Sequence, residues 1–236
     1  MLELKNISTG YGKKQILFDV SCQIKTGEIA LLIGSNGSGK STLLKRIYGL
    51  MPPFRESSGE ISFNGENITT AAVHQLIAKG LIYIPQKNNC YENMTVKENL
   101  EVSSLAISDV ALRKERMNEA LESFAMLKPL LQHTPAKLSG GEKQILVLAM
   151  AILHKPKMLL IDEPFTGLAG KNISLVKEKL KSLNQEQQIT IVMVEHRIAE
   201  ALPLAHKILG LKLGKLNELP NANLKFDDNI ISQILI

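Results

Sequence analysis

The sequence predicts an α/β fold: a mostly parallel sheet flanked by helices, with an N-terminal antiparallel β segment and an inserted helical segment. Three observations carry this. An apolar run at residues 29–33 leads through a Gly/Ser-rich loop into a helix-compatible stretch at 42–48, with alternating, strand-like residues ahead of it. Apolar runs then recur at 81–84, 157–161 and 188–194, separated by helical stretches, which is the βα alternation of a parallel sheet. Between 87 and 137 the strand signals stop. The expected units are 1–86 (N-terminal strands and first part of the core), 87–155 (helical insertion) and 156–236 (remainder of the core).

At 236 residues the chain can build one large core with a small satellite. Aromatics are scarce (4%, no Trp), so that core is aliphatic. Cys22 and Cys90 fit no metal spacing and read as reduced thiols. No apolar run approaches the roughly 20 residues that span a bilayer, and residues 1–5 lack the apolar stretch of a secretory signal. A membrane role therefore requires a partner. The net charge of +5 is scattered, and its densest groups, at 113–116 and 177–179, mix acids with bases as solvated helix faces do. No basic stripe suits nucleic acid.

In chain order, residues 2–8 alternate as a half-buried strand, 9–14 read as a turn, and 15–24 as a second extended segment. After the first helix, Gly49, Pro52 and Pro53 act as breakers, and residues 59–65 form a strand closing on Asn64-Gly65. A short helix at 73–79 precedes a buried strand stopped by Pro85. Thr95 with Glu98 forms a capping box, and 112–127 has helical periodicity through Met117, Leu121, Phe124 and Met126, broken by Pro129 and Pro135. Ser139 with Glu142 is a second capping box, opening a helix apolar all round and so buried. Residues 170–183 read as a helix and 188–195 as a β-branched buried strand, followed by a helix (198–205), a strand (207–211) and a short tail from Gly214.

The loop Gly34-Ser35-Asn36-Gly37-Ser38-Gly39-Lys40-Ser41 matches G-x-x-x-x-G-K-S/T in the strand–loop–helix context where that pattern cradles phosphate. Its glycines let successive N–H groups face one anion, and the helix continuing through Thr42 adds its positive dipole end. Lys40 reaches β- and γ-phosphates and the Ser41 hydroxyl ligates Mg²⁺. The chain therefore binds a nucleoside triphosphate. The strand at 157–161 delivers Asp162 and Glu163, whose side chains diverge because strand residues alternate. Asp162 can hold Mg²⁺ beside Ser41 while Glu163 polarises the attacking water. Gln86, just past a strand end, can help ligate Mg²⁺ or hold water, and His196 emerges where it can hydrogen-bond a γ-phosphate. Tyr11, between two glycines, either stacks on a purine or packs on a neighbouring strand; the residues leave both open. At the second capping box, Gly140 and Gly141 cost helix stability, which close approach of a ligand to bare N–H groups would explain.

With Leu138-Ser139-Gly140-Gly141-Glu142 in view, the chain resembles the ATP-binding cassette (ABC) ATPases over essentially its whole length. The resemblance makes residues 34–41 the Walker A motif and Asp162 the end of Walker B. It makes Glu163 the catalytic carboxylate, residues 138–142 the signature, and Gln86 the Q-loop residue. Tyr11 becomes the adenine-stacking aromatic and His196 the switch histidine. It implies an ATPase using ATP and Mg²⁺, with two cassettes, identical or homologous, facing head to tail so that Ser139, Gly140 and Gly141 of one close the ATP site of the other. It further implies integral membrane permease subunits as partners and a place on the cytoplasmic face of the membrane. Residues 94–100, the 166–169 turn and Val194-Glu195-His196 resemble the ATPases of branched-chain amino-acid-type importers; lipopolysaccharide-export ATPases are near relatives. A soluble, non-transport cassette is the alternative of a different class, and a P-loop kinase would leave the signature helix unexplained. Ala169 stands where many cassettes carry an Asp that contacts the opposite subunit.

Overall fold

Two sheets and seven α-helices follow from this patterning in the computed structural model, which describes residues 1–54, 59–87 and 89–219. β1 (Leu2–Tyr11) and β2 (Lys14–Ile24) pair antiparallel. Strand β3 (Ile29–Ile33) is buried at every residue and passes through residues 34–39 into α1 (Lys40–Ile47). β4 (Glu60–Phe63) and β5 (Glu66–Asn67) form a hairpin across Asn64-Gly65, both at positive φ (52° and 81°), as a two-residue type I′ turn requires. Next come α2 (Val73–Lys79) and β6 (Leu81–Ile84), then a strand-free stretch holding α3 (Val96–Ser104), α4 (Val110–Ser123) and α5 (Gly140–Ile152). β7 (Met158–Asp162), α6 (Lys171–Gln185), β8 (Thr190–Val194), α7 (Ile198–Ala201), β9 (Lys207–Lys212) and β10 (Lys215–Leu219) complete the described chain.

The first sheet has the order β2-β1-β4-β5 and the second β10-β9-β3-β8-β7-β6, parallel except for β10. Alternation along the second sheet divides the core between its faces. Leu31, Ile33, Ile161 and Met193 pack with α3, α5 and α6. Ala30, Leu32, Leu160 and Val192 pack with α1 and the first sheet. No helix of the described residues is long and apolar enough to cross a membrane.

Four expectations are corrected. The turn expected at 9–14 is mostly ladder: β1 runs to Tyr11, which pairs with Lys14 and leaves only Gly12-Lys13 to turn. The tail expected from Gly214 begins instead with β10, an edge strand whose polar residues conceal it; residues 220–236 lie outside the described chain. The helix expected through Leu127 ends at Ser123 and passes into a 3₁₀ turn (Ala125–Leu130). The helix expected at 198–205 tightens after Ala201 into Leu202–Leu204, where Pro203 supplies no N–H. Both capping boxes form: Thr95 accepts from Glu98 N–H at 3.2 Å while Glu98 Oε2 accepts from Thr95 N–H at 2.6 Å. Thr95→Ala is expected to cost about 1 kcal/mol, read as a lower urea midpoint with an unchanged m-value.

Candidate functional site

The loop after β3 closes on itself. Gly39 caps α1 at φ 107°, and a Cβ there would meet Leu17 Cδ2 at 2.7 Å, so only glycine fits this turn. Lys40, 5% exposed, donates to the Gly34 and Ser35 carbonyl oxygens at 2.9 and 3.0 Å. Among the described residues no carboxylate lies within ion-pair distance of it. Burial depresses its pKa, against the pull of Glu163 and Asp162. A buried ammonium held only by carbonyls suits an incoming anion. Ser38 Oγ in the same loop is buried and, among the described residues, has no hydrogen-bond partner. Ser35 is half-buried, Asn36 and Gly37 are exposed at the loop tip, and Thr42 is buried on α1.

Ser41 Oγ donates to Asp162 Oδ1 at 3.1 Å, and Tyr83 OH reaches Asp162 Oδ2 at 3.4 Å. Burial raises the Asp162 pKa, with the Ser41 bond opposing it. Burial first, then the Asp162 carboxylate, raises that of Tyr83. The hydroxyl and carboxylate are the hard oxygen donors Mg²⁺ takes alongside substrate phosphates and water, so the donor set fits that ion.

Glu163, the residue after β7, adopts φ 54°, a strained conformation for a residue with a Cβ. Three side chains hold its carboxylate: Gln86 Nε2 and Thr166 Oγ1 (2.7 Å) donate to Oε2, and His196 Nε2 meets Oε1 at 3.0 Å. Gln86, Asp162, Glu163 and His196 thus gather beside the Ser41 end of the loop. Tyr11, 52% exposed, stands at the end of β1 rather than on a turn.

Ser139, Gly140 and Gly141 begin α5 and, among the described residues, share no hydrogen bond with residues 34–41. Ser139 Oγ accepts from Glu142 N–H at 3.3 Å and Glu142 Oε2 from Ser139 N–H at 2.8 Å. The two glycines also have close intrachain neighbours that the sequence concealed. A Cβ on Gly141 would meet the Asn172 side chain at 2.7 Å, and one on Gly140 would meet Leu168 Cδ2 at 2.9 Å. Close approach of Asn172 on α6 gives Gly141 a packing reason before any ligand does, whereas the Leu168 methyl facing Gly140 could shift. The residue reading also missed Tyr83, Thr166 and Glu195. Thr166 was findable as the i+3 neighbour of Glu163 in a turn, whereas Tyr83 and Glu195 look like ordinary strand residues.

The fold and its loop define a P-loop nucleoside triphosphatase. A family model described as ABC transporter matches residues 17–166. The probable branched-chain amino acid transport ATP-binding protein LivF of Archaeoglobus fulgidus is 35% identical over 216 residues, 92% of this chain and 90% of that protein. The high-affinity branched-chain amino acid transport ATP-binding protein BraG of Pseudomonas aeruginosa is 36% identical over 216 residues, 92% of this chain and 91% of its own. A dimeric ATP-binding cassette solved in a post-hydrolysis state with ADP and Pi superposes with a TM-score of 0.78 at 28% identity, over 94% of this chain and 100% of that one. The chain belongs to the ABC transporter family: it is an ATP-binding cassette that hydrolyses ATP.

Gly141→Ala tests the packing account. It is expected to lower the stability of the nucleotide-free chain by about 1–3 kcal/mol, seen as a lower urea midpoint. An unchanged midpoint would return the glycine to ligand contact alone.

Proposed function

We propose that this cassette drives an importer of amino acids or similar small solutes, and that the residues gathered beside the P-loop carry its ATPase cycle. The observation that carries the reading is Lys40, a buried cation with no carboxylate partner among the described residues, set in a loop whose buried Ser38 Oγ is likewise unpartnered among them. In this reading Lys40 leaves the Gly34 and Ser35 carbonyls for the β- and γ-phosphates. The N–H groups of residues 35–41 and the start of α1 receive the remaining phosphate oxygens. Tyr11 offers its exposed ring to the adenine. Ser41 and Asp162, with Gln86 alongside, hold Mg²⁺, which neutralises charge on the phosphates when bound. Glu163 orients and polarises the attacking water, and His196 supports the γ-phosphate.

Ser139, Gly140 and Gly141, which among the described residues make no hydrogen bond to residues 34–41, serve a second cassette, identical or homologous, placed head to tail. ATP then joins the two subunits and its hydrolysis parts them. The segments 1–86, 87–155 and 156–236 are the units of this motion, the helical one passing it to integral membrane permease subunits at the cytoplasmic face. The similarity to LivF and BraG, both branched-chain amino acid transport ATP-binding proteins, supports amino acids as cargo.

Glu163→Gln is expected to bind ATP but lose nearly all turnover, and to elute as an ATP-dependent dimer on size exclusion. Wild-type hydrolysis in that variant would remove Glu163 from its role. Lys40→Ala is expected to weaken ATP binding in calorimetry. Native protein isolated from detergent-solubilised membranes is expected to bring an integral membrane subunit with it and to support uptake of a branched-chain amino acid when reconstituted. Consistent recovery without such a subunit would favour a soluble cassette, and outward movement of a lipid cargo an export ATPase.

A further inference from the structure

A buried carboxylate has no part in the proposed cycle. Glu195, 1% exposed, lies between the last residue of β8 and His196. Its carboxylate accepts three backbone N–H bonds: from Phe165 at 2.6 Å on Oε1, and from His196 and Arg197 at 3.0 and 3.2 Å on Oε2. Phe165 stands two residues beyond Glu163 and is itself fully buried. One side chain therefore joins the loop carrying Glu163 to the loop carrying His196. Arg197 makes a second tie between the same loops, its Nη1 donating to the Leu168 carbonyl at 2.7 Å.

The sheet cannot do this alone. The β7–β8 ladder ends at Asp162 opposite Val194, and beyond it, among the described residues, a single further backbone bond, Glu163 N–H to Val194 O at 2.9 Å, runs between the two segments. Everything from Phe165 to Leu168 lies past the ladder, where loops are ordinarily free to shift. Hydrogen bonds to an ionised carboxylate are about twice as strong as neutral ones, and three of them converge on Glu195. Burial pushes its pKa up and the three N–H bonds pull it down. The tie extends to the start of α5, because Leu168 is also the residue whose methyl lies against Gly140.

We propose that Glu195, with Arg197, is a positioning residue for hydrolysis. It fixes the Glu163 carboxylate against His196 by holding the 163–168 loop to the end of β8, and couples both to the first turn of α5. This deepens the roles assigned above to Glu163 and His196 and rests on them. Glu195 is buried and its oxygens are taken by backbone N–H groups, so it acts through Glu163 and His196. Glu195→Gln keeps the size of the side chain but replaces one acceptor oxygen by a donor that must face a backbone N–H, so the clamp opens without a cavity.

The test measures kcat, KM for ATP, and the affinity and stoichiometry of a non-hydrolysable ATP analogue by calorimetry on the purified full-length chain. Glu195→Gln is expected to lower kcat per nucleotide-binding site about tenfold to a hundredfold, the scale of misplacing a reacting group by about 1 Å, with KM and analogue affinity unchanged. A merely structural role would instead reduce the stoichiometry and leave turnover per competent site intact, and that result overturns the proposal. Should Glu195→Gln fail to fold, Arg197→Ala decides alone, because its side chain is exposed and only the Leu168 tie is lost. A severalfold fall in kcat at constant KM supports the proposal, and unchanged kcat overturns it. Glu163→Gln run in parallel separates the two readings: if it hydrolyses normally, the assignment beneath fails; if it is inactive while Glu195→Gln is not, only this inference does.

Discussion

Parallel register is the constraint on which the rest of the molecule depends. Because β6, β7, β8 and β3 run in one direction, whatever follows their last paired residues falls along one edge of the sheet. Ile84 is opposite Ile161, Asp162 opposite Val194, and Leu32 opposite that same Val194. Gly34, Gln86, Glu163 and Glu195 therefore all leave the ladder within about two residues of a common line. A slip of one residue in β7 would turn Asp162 away from Ser41 and put Ile161 or Glu163 in its place. The continuous burial of β3, β7 and β8 makes such a slip prohibitive, because both faces of each strand are committed to apolar packing.

Around that edge three buried charges are satisfied in three ways. Lys40 rests on carbonyl oxygens of its own loop, which stabilise it without cancelling its charge. Asp162 shares hydrogens with Ser41 and Tyr83. Glu195 takes backbone N–H groups only. The first two arrangements leave net charge beside the P-loop, where the proposed phosphate and cation would sit. The third is closed, and so suits a part of the frame rather than of the contact surface.

Much of this was legible in the residues because local rules and the final fold agree. Thr95, Ser139 and the Asn64-Gly65 turn announce themselves within four residues, and the short helix Val73–Lys79 needs nothing distant to define it. The Lys40, Ser41, Asp162 and Glu163 cluster follows from strand ends plus one loop pattern. What stayed hidden depends on long-range contact. β10 reads as a polar tail because an edge strand need bury little. Tyr11 reads as a turn residue because flanking glycines look like breakers even when one sits in a ladder. The need for glycine at 141 depends on Asn172, about thirty residues away in sequence. Glu195 is concealed by its neighbour, since a glutamate before a histidine at a strand end reads as one more polar group rather than as a buried acceptor of three backbone donors.

The capping box at Ser139 bears on how two cassettes would meet. Its hydroxyl oxygen already accepts the Glu142 amide, and among the described residues its proton is given to no acceptor, since accepting and donating use different parts of the group. The first turn of α5 is thus capped and closely packed against Asn172 of α6 within the one chain. Association there would proceed by docking of preorganised surfaces and incur little loss of backbone freedom. The lifetime of such a complex would then be set by the nucleotide caught between the surfaces, not by refolding of either one.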